Sequence, residues 1–181
     1  MKKIPTIYKR NPDNPKKLTD EVQEGCQWVF DGEGVATRKY DGTCCRIKDK
    51  KLFKRREIKR DKEAPKNFIE ETHDKITGKK TGWVECDVAD NSDTYHFQAF
   101  NNMEDGKKCD GTYELLGPKI QGNPEGYREY TLLKHSDAEE IEIKFDKKSI
   151  LTFLESTKYE GIVFHHPDGR MAKIKKRDFG Y

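Results

Sequence analysis

Glu140-Ile141-Glu142-Ile143-Lys144-Phe145 alternates charged and apolar residues without a break, and a period of two is the pattern of a strand with one face on a core and the other in water. A chain carrying such segments has to pair them into sheets. Similar patterning predicts strands over 35–39, 83–88, 95–100 and 112–116. It also predicts one hairpin over 44–55, turning at Lys48-Asp49-Lys50, and another over 161–175, turning at Pro167-Asp168-Gly169. Asp146 is placed to cap a helix running through about Lys158, with Ile150, Leu151, Phe153 and Leu154 as its apolar face. A further short helix is expected near 68–76. The chain reads as β-rich with short helices and no internal repeats.

Charged residues make up 38% of the 181 residues and hydrophobic ones 33%, which suggests disorder until the net charge of +3 is considered. Acid and base nearly cancel, so a single folded domain with a densely charged surface is expected, with residues 1–181 as its extent. No apolar run is long enough for a membrane span, and Met1-Lys2-Lys3 leads into polar sequence rather than a signal peptide. Cys26, Cys44, Cys45, Cys86 and Cys109 are odd in number and lack the C-x-x-C spacing. That argues against a disulfide framework or a zinc site and for a reducing, cytoplasmic compartment. In a strand, the neighbours Cys44 and Cys45 point one inward and one outward.

The chemistry begins at Lys39-Tyr40-Asp41-Gly42, with Glu160-Gly161 and Lys173-Ile174-Lys175 following in that order. A lysine with an ordinary pKa near 10.4 is protonated at neutral pH and cannot attack phosphorus. Desolvation and neighbouring cations favour the free amine, and Lys173 and Lys175, two apart on one strand face, are suited to supply those cations. The same pair suits the charge that builds on an α-phosphate in the transition state. Asp41 and Glu160 offer carboxylates where Mg²⁺ or Mn²⁺ would be wanted. Two basic clusters, 48–62 and 170–177, fit contact with a polyanion. Each element has a plainer reading: Asp41-Gly42 as a turn, Glu160-Gly161 as a helix-to-strand junction, the clusters as solvated faces.

The ordered set resembles the covalent nucleotidyltransferases, which include ATP-dependent RNA ligases, DNA ligases and RNA capping enzymes. Thr37-Arg38-Lys39-Tyr40-Asp41-Gly42-Thr43 matches their first motif, Glu160-Gly161-Ile162-Val163 their fourth and Lys173-Ile174-Lys175 their fifth. Within that group the chain is most similar to the fifth family of RNA ligases. The strings that carry this are Phe53-Lys54-Arg55-Arg56-Glu57, Gly82-Trp83-Val84, Tyr113-Glu114-Leu115-Leu116-Gly117-Pro118, Gly122-Asn123-Pro124 and 165–173. The resemblance implies an α+β nucleotidyltransferase domain with two antiparallel sheets and flanking helices. It implies that Lys39 attacks ATP to form a lysine–AMP adduct, passes AMP to an RNA 5′-phosphate, and lets a 3′-hydroxyl displace it. Catalysis would rest on Lys39, Asp41, Glu160, Lys173 and Lys175, with Asp41 and Glu160 toward the metal.

Nucleotide contacts implied by the resemblance are Arg55 and Glu114 at the ribose, Val163 over one adenine face, and the backbone near Thr37 and Arg38 at the adenine edge. Gly42, Lys173 and Lys175 complete the set, and Tyr130 or Leu132 would cover the second adenine face. Relatives usually carry an appended domain. The sequence reaches Tyr181 soon after the fifth motif, so a minimal monomeric domain is expected, with the basic clusters gripping RNA or a nicked RNA-containing duplex. His165 and His166 point to opposite strand faces and do not suggest a metal site, and His96 and Trp83 suggest packing or substrate-side surface. Two other readings stay open: a GTP-dependent capping guanylyltransferase, and a basic RNA-binding module without catalysis.

Overall fold

A computed structural model describes residues 4–14, 17–75 and 77–180. Its strands are β1 (Tyr8–Arg10), β2 (Leu18–Val22), β3 (Val35–Lys39), β4 (Thr43–Lys48), β5 (Lys51–Ile58), β6 (Phe68–His73), β7 (Lys80–Glu85), β8 (Gly111–Leu116), β9 (Thr131–Lys134), β10 (Glu140–Ile141), β11 (Gly161–His165) and β12 (Met171–Lys175). The α-helices are α1 (Gln27–Phe30), α2 (Thr94–Asn102) and α3 (Lys147–Ser156). The class is mixed α and β with antiparallel sheets. Among the described residues there are three sheets rather than the two expected, because β1 and β2 pair with each other as a small separate ribbon. No helix among the described residues is long and apolar enough to cross a membrane. The start of the chain at Met1-Lys2-Lys3 lies outside the described residues.

The chain divides into two compact units. One, residues 41–137, holds the six-stranded sheet β6-β7-β5-β4-β8-β9. The β4–β5 hairpin turns where the sequence predicts it. Asp49 and Lys50 both take positive φ, 51° and 61°, the pair of left-handed residues whose twist matches a two-residue hairpin. One face of this sheet packs Cys45, Ile47, Leu52, Tyr113, Leu115 and Leu132 against α2 through Ala99.

Three expectations fail in this unit. Residues 95–100 are helix, not strand. Asp90 starts the turn by accepting from the Ser92 amide at 2.8 Å, and His96 and Ala99 are then buried at helical spacing. Tyr95, Phe97, Phe100 and Met103 also pack on the core, so a broad apolar face imitates alternation. Phe68–His73 is a strand rather than part of a helix, because the edge of β7 pairs with it and Thr72 Oγ1 meets Thr81 Oγ1 at 2.5 Å. Ile76, the last residue of that expected helix, lies outside the described residues. The strand read over 83–88 runs instead over Lys80–Glu85. The chain then turns away, with the Cys86 amide donating to Leu52 O at 2.9 Å.

The other unit, residues 4–40 and 138–180, holds the ribbon and the four-stranded sheet β10-β3-β11-β12. Ala36, Ile141, Ile162, Phe164, Ala172 and Ile174 cover its core face and pack with Ile150 and Leu154 of α3. Asp146 caps α3 as predicted, accepting from the Ser149 amide at 2.9 Å. The alternating segment 140–145 pairs only through Glu140 and Ile141. Ile143 and Phe145 still turn onto the core, so the alternation records burial rather than ladder length.

Candidate active site

Sheet register brings the motif lysines together. Gly161, at the start of β11, pairs with Lys39 of β3 on one side and with Lys175 of β12 on the other. Directly paired residues of an antiparallel sheet project to the same face, so the two lysines flank a glycine across the middle strand. Glu160 immediately precedes that glycine. Its Oε2 accepts from Lys39 Nζ, and its Oε1 accepts from Lys175 Nζ at 2.5 Å. Lys39 Nζ also reaches Tyr40 O at 3.3 Å. The end of β12 is held by Asp178, which takes the Lys175 amide at 3.1 Å and Arg10 Nη2 at 3.1 Å.

Burial pushes the Glu160 carboxyl up, but the ammonium groups of Lys39 and Lys175 outweigh it and hold the acid below its ordinary value near 4.5. A carboxyl depressed in the folded state stabilises above the unfolded value, and that contribution disappears as pH falls through the folded value. Stability of the native chain should therefore decline through the acid range below about pH 4.5 more steeply than that of Glu160→Gln. Parallel acid denaturation curves for the two proteins would contradict this.

Gly161 is required by the close approach of its neighbours. A Cβ there would lie 2.1 Å from Ile174 O and 3.0 Å from Lys175 Cα, and backbone atoms cannot swing aside as a side chain can. Gly161→Ala should force β11 from β12 and destabilise by about 1–3 kcal/mol, the range for overpacking, with the Lys175–Glu160 contact loosened. A wild-type denaturation midpoint would show that the strands part at little expense.

One row along, Thr37 of β3, Val163 of β11 and Lys173 of β12 share the same face. Thr37 Oγ1 meets His165 Nε2 at 2.9 Å. The Lys173 backbone is held on its outer side as well, its amide donating to Pro5 O at 2.9 Å and its carbonyl accepting from Ile7 N at 3.0 Å. Arg38 alternates to the opposite face. Its guanidinium lies over the rings of Tyr159 and Tyr40 at 4.0 and 4.5 Å, 3.5 Å from a Glu139 oxygen. The Arg38 amide, in the segment expected to read an adenine edge, donates to Glu139 O at 2.8 Å. His166 turns away from His165 to Glu33 and Asp168, at 2.6 and 2.7 Å, with its ring against Trp28.

The unit 41–137 holds the remaining predicted residues. The Asp41 amide donates to Glu125 Oε1 at 2.9 Å and the Gly42 amide to Glu114 Oε1 at 3.1 Å. A Cβ on Gly42 would sit 2.3 Å from Leu115 O. Glu114 pairs across the ladder with Cys44. Burial pushes the Cys44 thiol up to about 11, aided by Glu114 and opposed by the charge of the Arg55 guanidinium. Arg55 and Glu114 thus both approach one cysteine from neighbouring strands. The second Glu114 oxygen lies 2.8 Å from His135 Nε2, whose Nδ1 lies 2.9 Å from Thr112 Oγ1.

His135 and Glu125 were not legible as site residues. His135 follows β9 in a short helical turn and Glu125 lies in a loop, so no motif or period marks either. Of the two candidates for the second adenine face, Leu132 is core, paired with Leu115. Tyr130 stacks on Tyr95 at 4.5 Å and 12°. Within the basic cluster 48–62, Lys54 is withdrawn from the surface into an ion pair with Asp93 at 2.6 Å.

No protein-family model and no curated protein matches the chain. The chemical reading therefore rests on the motif residues and their geometry. One sheet face of the unit 4–40/138–180 presents two ammonium groups on a shared carboxylate, with a third lysine one row away.

Proposed function

We propose that this protein is an ATP-dependent RNA ligase that works through a lysine–AMP intermediate, on the nucleotidyltransferase fold of ligases and capping enzymes. The observation that carries the reading is the shared carboxylate: Lys39 and Lys175 both donate to Glu160. That cluster supports Lys39 as nucleophile because its amine is already oriented by an acceptor, as an activated nucleophile requires. Lys39 Nζ would bond to the α-phosphorus of ATP as the bond to pyrophosphate breaks. The ammonium must shed its proton to solvent first; the nearby cations Lys173 and Lys175 favour that loss, and the ion pair with Glu160, which orients the amine, opposes it. Lys175 and Lys173 would hold the phosphoryl oxygens as charge grows on them.

Val163, on the same sheet face as Lys39 and one row along, is assigned to an adenine face. Carboxylate oxygens are the donors Mg²⁺ or Mn²⁺ takes, and Glu160 is the carboxylate beside Lys39 that would offer one, the ion supplying neutralisation of phosphate charge. RNA would meet the exposed cations of the cluster 48–62, among them Lys59 and Arg60.

The deciding experiment incubates the full chain with α-labelled ATP or GTP and a divalent cation and follows label on the denatured protein. Label from ATP is the expected result. Label from GTP alone would indicate a capping enzyme, and none from either would leave a binding module. Salt then separates the two halves of the reaction. Sealing should fall steeply between low and moderate salt as phosphate contacts are lost, and lysine adenylation, between partly buried groups, much less. Replacing Lys59 and Arg60 with alanine should weaken sealing and spare adenylation. Parallel loss of both steps with salt would remove the basic cluster from the RNA site.

A further inference from the structure

Cys86, Asp93 and His96 belong to none of the motifs in the sequence, yet each offers a ligand atom within 4.8 Å of the others. Ligands on a tetrahedral zinc ion are about 3.5 Å apart, given bond lengths of about 2.0–2.3 Å, so a closure of about 1 Å would complete the set. All three residues are buried, with Asp93 1% exposed, Cys86 8% and His96 9%. Both ring nitrogens of His96 are buried without a hydrogen-bond partner. Asp93 Oδ1 stands 3.7 Å from Nδ1, beyond hydrogen-bond range. A buried polar nitrogen left without a partner is unfavourable, and a metal ion would satisfy it.

The elements aim the three groups without need of a motif. Cys86 follows β7 and is pinned through its amide to Leu52 O. Asp93 and His96 are three apart across the start of α2, hence on one face. Asp93 is held at both oxygens, by Lys54 Nζ at 2.6 Å and by the Asp87 amide at 3.0 Å. A carboxylate has about four acceptor positions, so coordination can use those that remain, with Lys54 and Asp87 as the outer partners that fix a ligand's orientation. Asp90, 3.3 Å from Lys54 Nζ, balances that ammonium.

We propose that Cys86, Asp93 and His96 bind one divalent transition-metal ion of the zinc type. Sulfur and imidazole select such an ion over Mg²⁺, and three protein ligands leave a fourth position for water. Binding replaces the Cys86 S–H bond by a sulfur–metal bond and releases one proton to solvent. The site differs from the Glu160 cluster in residues, in metal class and in compact unit, and it reverses what cysteine spacing alone suggests about zinc.

The test is titration of the metal-free full chain with Co²⁺ alone, followed by competition with Zn²⁺. The expected result is saturation at one equivalent, with an intense thiolate-to-cobalt band that Zn²⁺ abolishes. Cys86→Ser should remove that band, Cys109→Ser should keep it, and His96→Ala should weaken binding by more than the roughly tenfold to hundredfold that loss of a ligand's outer partner costs. Absence of the band from wild-type protein with a native circular dichroism spectrum overturns the proposal, as does its persistence in Cys86→Ser. The wild-type titration decides the matter even where a variant fails to fold.

Discussion

Replacing Lys39 with alanine is expected to abolish covalent labelling by α-labelled ATP. Only an amine held in line with the departing pyrophosphate can form the adduct, and positioning of that kind supplies a large part of the rate. Lys39→Arg sharpens the test. A guanidinium preserves a cation beside Glu160 but stays protonated, so it should keep the fold and still fail to label. Each variant is checked by label retained on denatured protein and by its circular dichroism spectrum. Wild-type labelling in either folded variant would sink Lys39 as the nucleophile and with it the proposed mechanism.

Removal of Lys175 should slow adenylation by on the order of a hundredfold, the usual loss when one donor to a developing oxyanion is deleted. Two effects combine. The α-phosphate would lose a cation, and Glu160 would lose the partner on its Oε1, freeing it to rotate from Lys39. Lys173→Ala removes only the first of these, because the Glu160 oxygens are held by Lys39 and Lys175. Its adenylation should fall by a similar order. Single-turnover labelling rates check both. Unchanged rates in the two variants would mean that β12 is merely a solvated basic edge.

Much of the fold was legible because its signals are local. Val35–Lys39, Gly161–His165 and Met171–Lys175 each carry their own period and turn residues, and Asp146 carries its own cap. The errors fell where a neighbour decides. Phe68–His73 became a strand because β7 had an edge to fill. Tyr95–Phe100 became helix because its apolar residues cover a broad face over the sheet. The two short strands β1 and β2 form a separate third sheet that no strong period announces.

The sequence by itself determined which residues are candidates for reactive chemistry and that Lys39, Glu160 and Lys175 occupy strands or strand ends. Only the tertiary structure decided that they meet, for Lys39 and Glu160 are 121 residues apart. Their meeting depends on strand order and on a register that sets Gly161 between the two lysines. The same holds for Cys86, Asp93 and His96, and for His135 beside Glu114. Periodicity assigns a side chain to a face, because burial is a property of each strand alone. Which side chains share that face is set by pairing across the sheet, and pairing is a property of several segments at once.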